Sequence, residues 1–205
     1  MFFGAEPFTA KLAGLLLSLP AVLWAITFHE FCHGYAALKL GDRTAELDGR
    51  LSLNPLHHLD PVGALCLLLF RFGWAKPVPI DTRYFKNPRR DIIIVSLAGA
   101  AGNILTAFVC AKLFRFFPGL FASYGATEFI KIMIGMNVGL AAFNLLPIPP
   151  LDGSRVLYVL LPYKWMGFYE KLERYGMIII LALMMLNILP VLMSPVISFI
   201  FLLIV

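Results

Sequence analysis

Charge is what this chain has least of. Of its 205 residues only 14% are Asp, Glu, Lys or Arg, against roughly 25% in a soluble globular domain. With 60% hydrophobic residues and a mean hydropathy of +0.83, that scarcity excludes a soluble enzyme and implies an integral membrane protein. Cysteine is nearly missing as well. Cys32, Cys66 and Cys110 lie in apolar runs without paired spacing, which excludes a disulfide framework and leaves membrane-buried thiols. No internal repeat or low-complexity tract is present. The N-terminus lacks the basic start of a cleavable signal peptide, and its apolar stretch runs into a polar motif that cleavage would sever. The length leaves no room for a membrane bundle plus a sizeable soluble domain, so one membrane-embedded domain over 1–205 is expected. The net charge of +5 does not point to nucleic acid, because the basic residues cluster between apolar segments as membrane topology requires.

Apolar runs predict an all-α polytopic protein. Leu12 to Phe28 reads as a first span whose helix continues through His33 to about Leu40, with a kink expected at Pro20. Thr44 to Leu53 reads as two short strands around Asp48-Gly49, a β-hairpin signal. Gly63 to Trp74, at about 18 Å as a helix, is too short for a hydrocarbon core near 30 Å and is expected to be re-entrant or interfacial. Asp91 to Phe117 is a second span with a small, polar stripe of Ser96, Gly99, Gly102 and Asn103. Gly125 to Leu146 is a third, ended by Pro147-Ile148-Pro149-Pro150, with Gly135 and Gly139 forming GxxxG. Ser154 to Leu161 predicts a short amphipathic helix. Tyr175 to Leu189 and Val191 to Val205, parted by Pro190, complete the chain.

Charge sets the expected topology. If Gly63 to Trp74 does not cross, residues 39–60, 71–90 and 151–174 share one side and hold three, six and four of the 17 Lys and Arg residues, thirteen in all. The positive-inside rule makes that side cytosolic.

Against this background one motif stands out: His29-Glu30-Phe31-Cys32-His33 at the end of the first span. On a helix His29 and His33 face one way and can grip one metal ion, with Glu30 as the usual base for water in metal-dependent proteolysis. Ionisable groups in lipid cost roughly 2.5–3.5 kcal/mol each on insertion scales and persist mainly where they function. A catalytic zinc takes three protein ligands. Asp152 is the best third candidate, since it follows a helix break at the depth of the two histidines and Gly153 permits a tight turn.

The HExxH motif together with Asn144-Leu145-Leu146-Pro147-Ile148-Pro149-Pro150-Leu151-Asp152-Gly153 resembles the site-2 protease family of intramembrane zinc metalloproteases. The segments Gly49 to Pro55, Gly73 to Pro79 and Ser96 to Gly99 are similar to its compact bacterial and archaeal members, which implies a prokaryotic cell membrane. The matches run from about residue 10 to 162, leaving C-terminal helices over about 174–205. The resemblance implies a three-helix catalytic core, one Zn²⁺ held by His29, His33 and Asp152, water activation by Glu30, and Asn144 positioning substrate or the developing oxyanion. Where many members have Ala-Gly-Pro, this chain has Ala98-Gly99-Ala100. No PDZ or CBS domain fits, so selection of a transmembrane protein or peptide substrate falls to the membrane core, a regulatory membrane partner or a homo-oligomer.

Plainer readings stand beside these. His29 and His33 can be hydrogen-bonded helix-end residues, Asp152 an N-cap, and Asn144, Asn103 and Asn137 interhelical hydrogen bonds. Cys32 near the metal face suits packing better than ligation. His57, His58 and Asp60 are candidates for the substrate or gate, or else a surface loop. The Arg83 to Arg90 run suits a lipid-headgroup anchor. A metal transporter or an inactive protease-like scaffold is the alternative function, but neither explains Glu30 between the histidines.

Overall fold

A computed structural model describes residues 8–63 and 75–205. The fold is all-α and polytopic. Helix α1 runs from Phe8 to Lys39, α2 from Thr44 to Leu47, α3 from Pro88 to Phe116 and α4 from Tyr124 to Asn144. They are followed by α5 (Asp152–Leu160), α6 (Met166–Arg174), α7 (Gly176–Met185) and α8 (Leu189–Ile204). Among the described residues three helical stretches are each long and apolar enough to cross a membrane: Leu16–Lys39, Pro88–Phe116 and Tyr124–Asn144, of 24, 29 and 21 residues. At about 1.5 Å per residue each covers a hydrocarbon core near 30 Å.

Local signals set the ends of the spans. Pro88 occupies the first turn of α3, where its missing N–H costs nothing, and Asp91 Oδ2 reaches back to accept the Asn87 N–H at 3.0 Å. Ser123 caps α4 by accepting the Ala126 N–H at 3.3 Å. Helix α1 continues unbroken through Pro20.

Small residues let the spans approach closely. Ala100 and Ala107 of α3 and Val138, Ala141 and Ala142 of α4 form one core, closed by Ile200 and Ile204 of α8. A second cluster joins Leu146 and Leu151, on either side of the proline turn, to Ile180 of α7 and Leu189 of α8. Helices α7 and α8 meet at 92°. The break lies at Asn187, whose φ of 56° is left-handed. Its N–H donates to Met184 O at 3.0 Å and that of Ile188 to Leu183 O at 2.9 Å, a Schellman ending in which Asn tolerates the left-handed position. Pro190 then falls in the first turn of α8, where proline is accepted.

The expected hairpin over Thr44 to Leu53 is not formed. Among the described residues the strand pairing is confined to an isolated antiparallel bridge between Leu59 and Ala75. Two side-chain and backbone preferences account for the difference. Asp42, fully buried, accepts the Thr44 N–H at 2.9 Å and its hydroxyl at 2.5 Å through Oδ1, starting the helical turn α2. Asp48-Gly49 then ends that turn: Gly49 has φ +64°, its N–H donates to Glu46 O at 3.0 Å and the Arg50 N–H to Ala45 O at 2.8 Å. The same dipeptide that favours a tight hairpin also favours a Schellman cap, and Asp42 decides between them.

Gly135 and Gly139 have open space where a side chain would stand, so this GxxxG is not a packing seam among the described residues. The re-entrant segment expected over Gly63 to Trp74 lies, apart from Gly63, outside the described residues.

Asp42 also accepts the Asp81 N–H at 2.8 Å, tying the turn to the loop before α3. Asp42→Ala strands these donors in a buried place, so thermal unfolding should show a loss of about 1–3 kcal/mol, while Asp48→Ala, on the exposed side of α2, should be close to neutral.

Candidate metal centre

The register of α1 places His29 and His33 on one face, with ring centroids 4.6 Å apart and planes at 85°. They are 5% and 6% exposed. Asp152 is remote in sequence, 119 residues after His33. The Pro147 to Pro150 turn ends α4 and folds back, with the Leu151 N–H on Ile148 O at 2.9 Å. A Cβ on Gly153 would strike the Leu145 carbonyl, so the turn closes only around glycine. Asp152 is the first residue of α5, whose N-cap position is Leu151. Its carboxylate is spent on the imidazoles. Asp152 Oδ2 lies 3.1 Å from His29 Nε2 and 3.0 Å from His33 Nε2, and the two Nε2 atoms are 3.0 Å apart.

Proton accounting defines this triangle. His33 Nδ1–H donates to the Val95 carbonyl at 2.7 Å, and a carbonyl can only accept. His29 Nδ1 lies 2.7 Å from Asn103 Oδ1 and donates likewise. In their neutral form both rings therefore turn an Nε2 lone pair toward Asp152. Three electron-pair donors converge without a proton of their own between them, and a cation satisfies all three. Tetrahedral zinc with ligands at about 2.0–2.1 Å separates its ligand atoms by roughly 3.3 Å, close to what is found. His29, His33 and Asp152 form a cluster of His and Asp able to hold a metal ion among the described residues.

Room for the imidazoles comes from α3. A Cβ on Gly99 would sit 2.5 Å from His33 Nε2 and 2.6 Å from His29 Cε1. One turn further on, Gly102 accommodates Cys32, so that thiol faces the α3 contact.

The triangle opens into a cavity of about 280 Å³. Glu30 and Asn144 both line it, with Pro77 and Val78 of an extended segment on one side and Met177 and Ile180 of α7 on another. Glu30 Oε2 accepts the Val78 N–H at 2.9 Å. Because Pro77 and Pro79 have no N–H, Val78 supplies the one donor of that tripeptide, and it goes to Glu30. Arg50 holds the same segment by donating to Lys76 O at 2.6 Å and Pro77 O at 3.2 Å. Asn144 Nδ2 donates one proton to Leu140 O at 3.0 Å.

His57, His58 and Asp60 are not brought to this cavity. His57 donates to Gly49 O at 2.9 Å, His58 to Ser52 O at 2.7 Å, and Asp60 Oδ1 accepts the Gly63 N–H at 2.8 Å. Their partners are the backbone of their own loop. Conversely, the Val95 carbonyl, the Val78 amide and α7 belong to the site and carry no side-chain signal in the sequence.

The family profile of Peptidase family M50 matches residues 119–187. The chain is 41% identical over 165 residues to "Putative zinc metalloprotease YwhC" of Bacillus subtilis, covering 78% of this chain and 75% of that protein. The chain belongs to peptidase family M50. Rip2 of Mycolicibacterium smegmatis is 30% identical over 82% of this chain and 66% of its own length, and MJ0611 of Methanocaldococcus jannaschii 31% identical over 75% and 72%, both under the same description as YwhC. No solved structure matches the chain. M50 is the site-2 protease family, so this is a membrane zinc metallopeptidase and Zn²⁺ is its cofactor.

Gly99→Ala pushes a methyl group into both imidazoles. Zinc retained through purification, measured by atomic emission, should fall well below that of the parent, whereas Gly135→Ala, which meets open space, should keep the parent's content.

Proposed function

We propose that this M50 peptidase is an intramembrane endopeptidase that hydrolyses peptide bonds of transmembrane or membrane-tethered segments, with zinc held by His29, His33 and Asp152. The observation that carries the proposal is the convergence of those three donor atoms, each within 3.1 Å of the others, on a cavity that Glu30 also lines. Bound there, zinc supplies positive charge beside the scissile carbonyl and lowers the pKa of water towards 7.

The protein's own groups do the rest. Glu30 takes the proton of the attacking water and passes it to the leaving amine. The Val78 amide fixes Oε2 of that carboxylate and leaves Oε1 for the proton. Asn144 has a second N–H beyond the one given to Leu140 O, available to the oxygen on which negative charge develops. Leu140, Phe143 and Ile180 line the cavity with apolar surface, and a less polar lining strengthens each of these interactions.

The substrate enters as a helix whose carbonyls are masked by its own hydrogen bonds, so it must unwind locally before attack. The Thr44 to Leu53 segment supplies no strand edge to an unwound substrate, and Ala75, Pro77, Val78 and Ile80 line the cavity from a segment outside the helices. The site lies where α1 and α4 end and α3 begins, the end of the bundle that carries the basic loops. By the positive-inside rule that end is cytosolic. The residues proposed for this chemistry belong to one membrane domain.

Glu30→Gln tests the proposal. It should leave zinc content and unfolding temperature as in the parent and reduce cleavage of a reporter transmembrane segment in proteoliposomes by at least about 100-fold, the scale of a lost general base. Parent-like cleavage by this variant contradicts it.

A further inference from the structure

Asn103 and Asn137 have the spacing of ordinary interhelical hydrogen bonds, but their bonding is directional. Asn137 Nδ2 donates to Met133 O in its own helix at 2.9 Å, which leaves its Oδ1 pointing toward α3. There it accepts an Asn103 Nδ2 proton at 2.9 Å. The other Nδ2 proton of Asn103 goes to Ala25 O, one turn before His29 on α1, also at 2.9 Å. Rotating the Asn103 amide by half a turn would set its oxygen against two oxygens, so the orientation is forced. Oδ1 must face His29 Nδ1, and that nitrogen must carry the proton. Asn103 and Asn137 are both fully buried, so water cannot stand in for either.

The two histidines are thus oriented by different means. His33 is held by a main-chain carbonyl, that of Val95, which no side-chain substitution removes. His29 depends on a side-chain relay that begins on α4 and crosses α3. We propose that Asn103, itself held by Asn137, is a positioning residue that fixes the His29 tautomer and ring plane so that Nε2 is presented to the metal. The proposal rests on His29 being a zinc ligand. It assigns to the pair a role in metal affinity that helix packing does not require. Gly99 and Asn103 lie four residues apart on α3, so one face of this helix both makes space for the imidazoles and orients one of them.

Two measurements on detergent-solubilised full chain separate this role from packing. In metal-free protein labelled with ¹⁵N-histidine, the ring nitrogens of His29 report the tautomer, with assignment by His29→Ala. The expected parent signature is Nδ1–H with a bare Nε2, and an Nε2–H parent overturns the proposal without any variant. Zinc affinity is read by competition with a chromogenic chelator. Asn103→Leu, of similar volume, should weaken zinc binding 10- to 100-fold, as loss of a partner of a metal-bound histidine does, and should abolish the Nδ1–H signature. Asn137→Leu, which never touches His29, should shift both in the same direction by less. A folded Asn103→Leu protein with the parent's affinity and tautomer overturns the proposal, and if that variant does not fold, parent-like values in Asn137→Leu do so instead. Parent affinity in His29→Ala would instead remove the ligand assignment, a failure the tautomer signal distinguishes.

Discussion

Three lone pairs pointed at one another inside a membrane protein are the constraint on which the rest of this structure depends. His29 Nε2, His33 Nε2 and Asp152 Oδ2 stand 3.0–3.1 Å apart, and the other nitrogen of each ring already donates its proton elsewhere. With both rings neutral and no cation between them the arrangement is repulsive, and the low dielectric around it makes that repulsion costly. With zinc each contact becomes favourable. Two imidazoles and a carboxylate are a donor set that suits a zinc ion.

The surroundings serve this convergence at three levels. Helix period brings the histidines to one face of α1. A glycine on α3 lets the backbone approach until the imidazoles fill the space a side chain would take. The proline turn after α4, closed by Gly153 and covered by Ile180 and Leu189, returns Asp152 to the same depth. None of these elements is stable by polar bonding alone. They are fixed by cores of small and apolar residues in which α8 packs across α3 and α4, so the C-terminal helices buttress a site to which α8 gives no lining residue.

The sequence makes some of this legible and hides the rest for definable reasons. That His29, His33 and Asp152 meet beside Glu30 can be read because their spacing follows helix period and a helix break, both local properties. The spans can be read because lipid demands length and apolarity. The hairpin expected at Asp48-Gly49 fails because that dipeptide suits two endings, and the choice rests with Asp42, whose third partner is the distant Asp81 N–H. The cut between α7 and α8 falls at Asn187 and not at Pro190, since a left-handed Asn ends a helix and a proline in the first turn starts one. Donors and acceptors of the main chain, Val78 N–H and Val95 C=O, are invisible to any reading of side chains.

The coordination of the metal is the most direct measure of this account. X-ray absorption at the zinc edge of purified protein should show two nitrogens at about 2.0–2.1 Å and a carboxylate oxygen at about 2.0–2.2 Å, with the oxygen shell altered in Asp152→Ala. Protein without zinc, or a sulfur shell near 2.3 Å that places Cys32 in the coordination sphere, would contradict it.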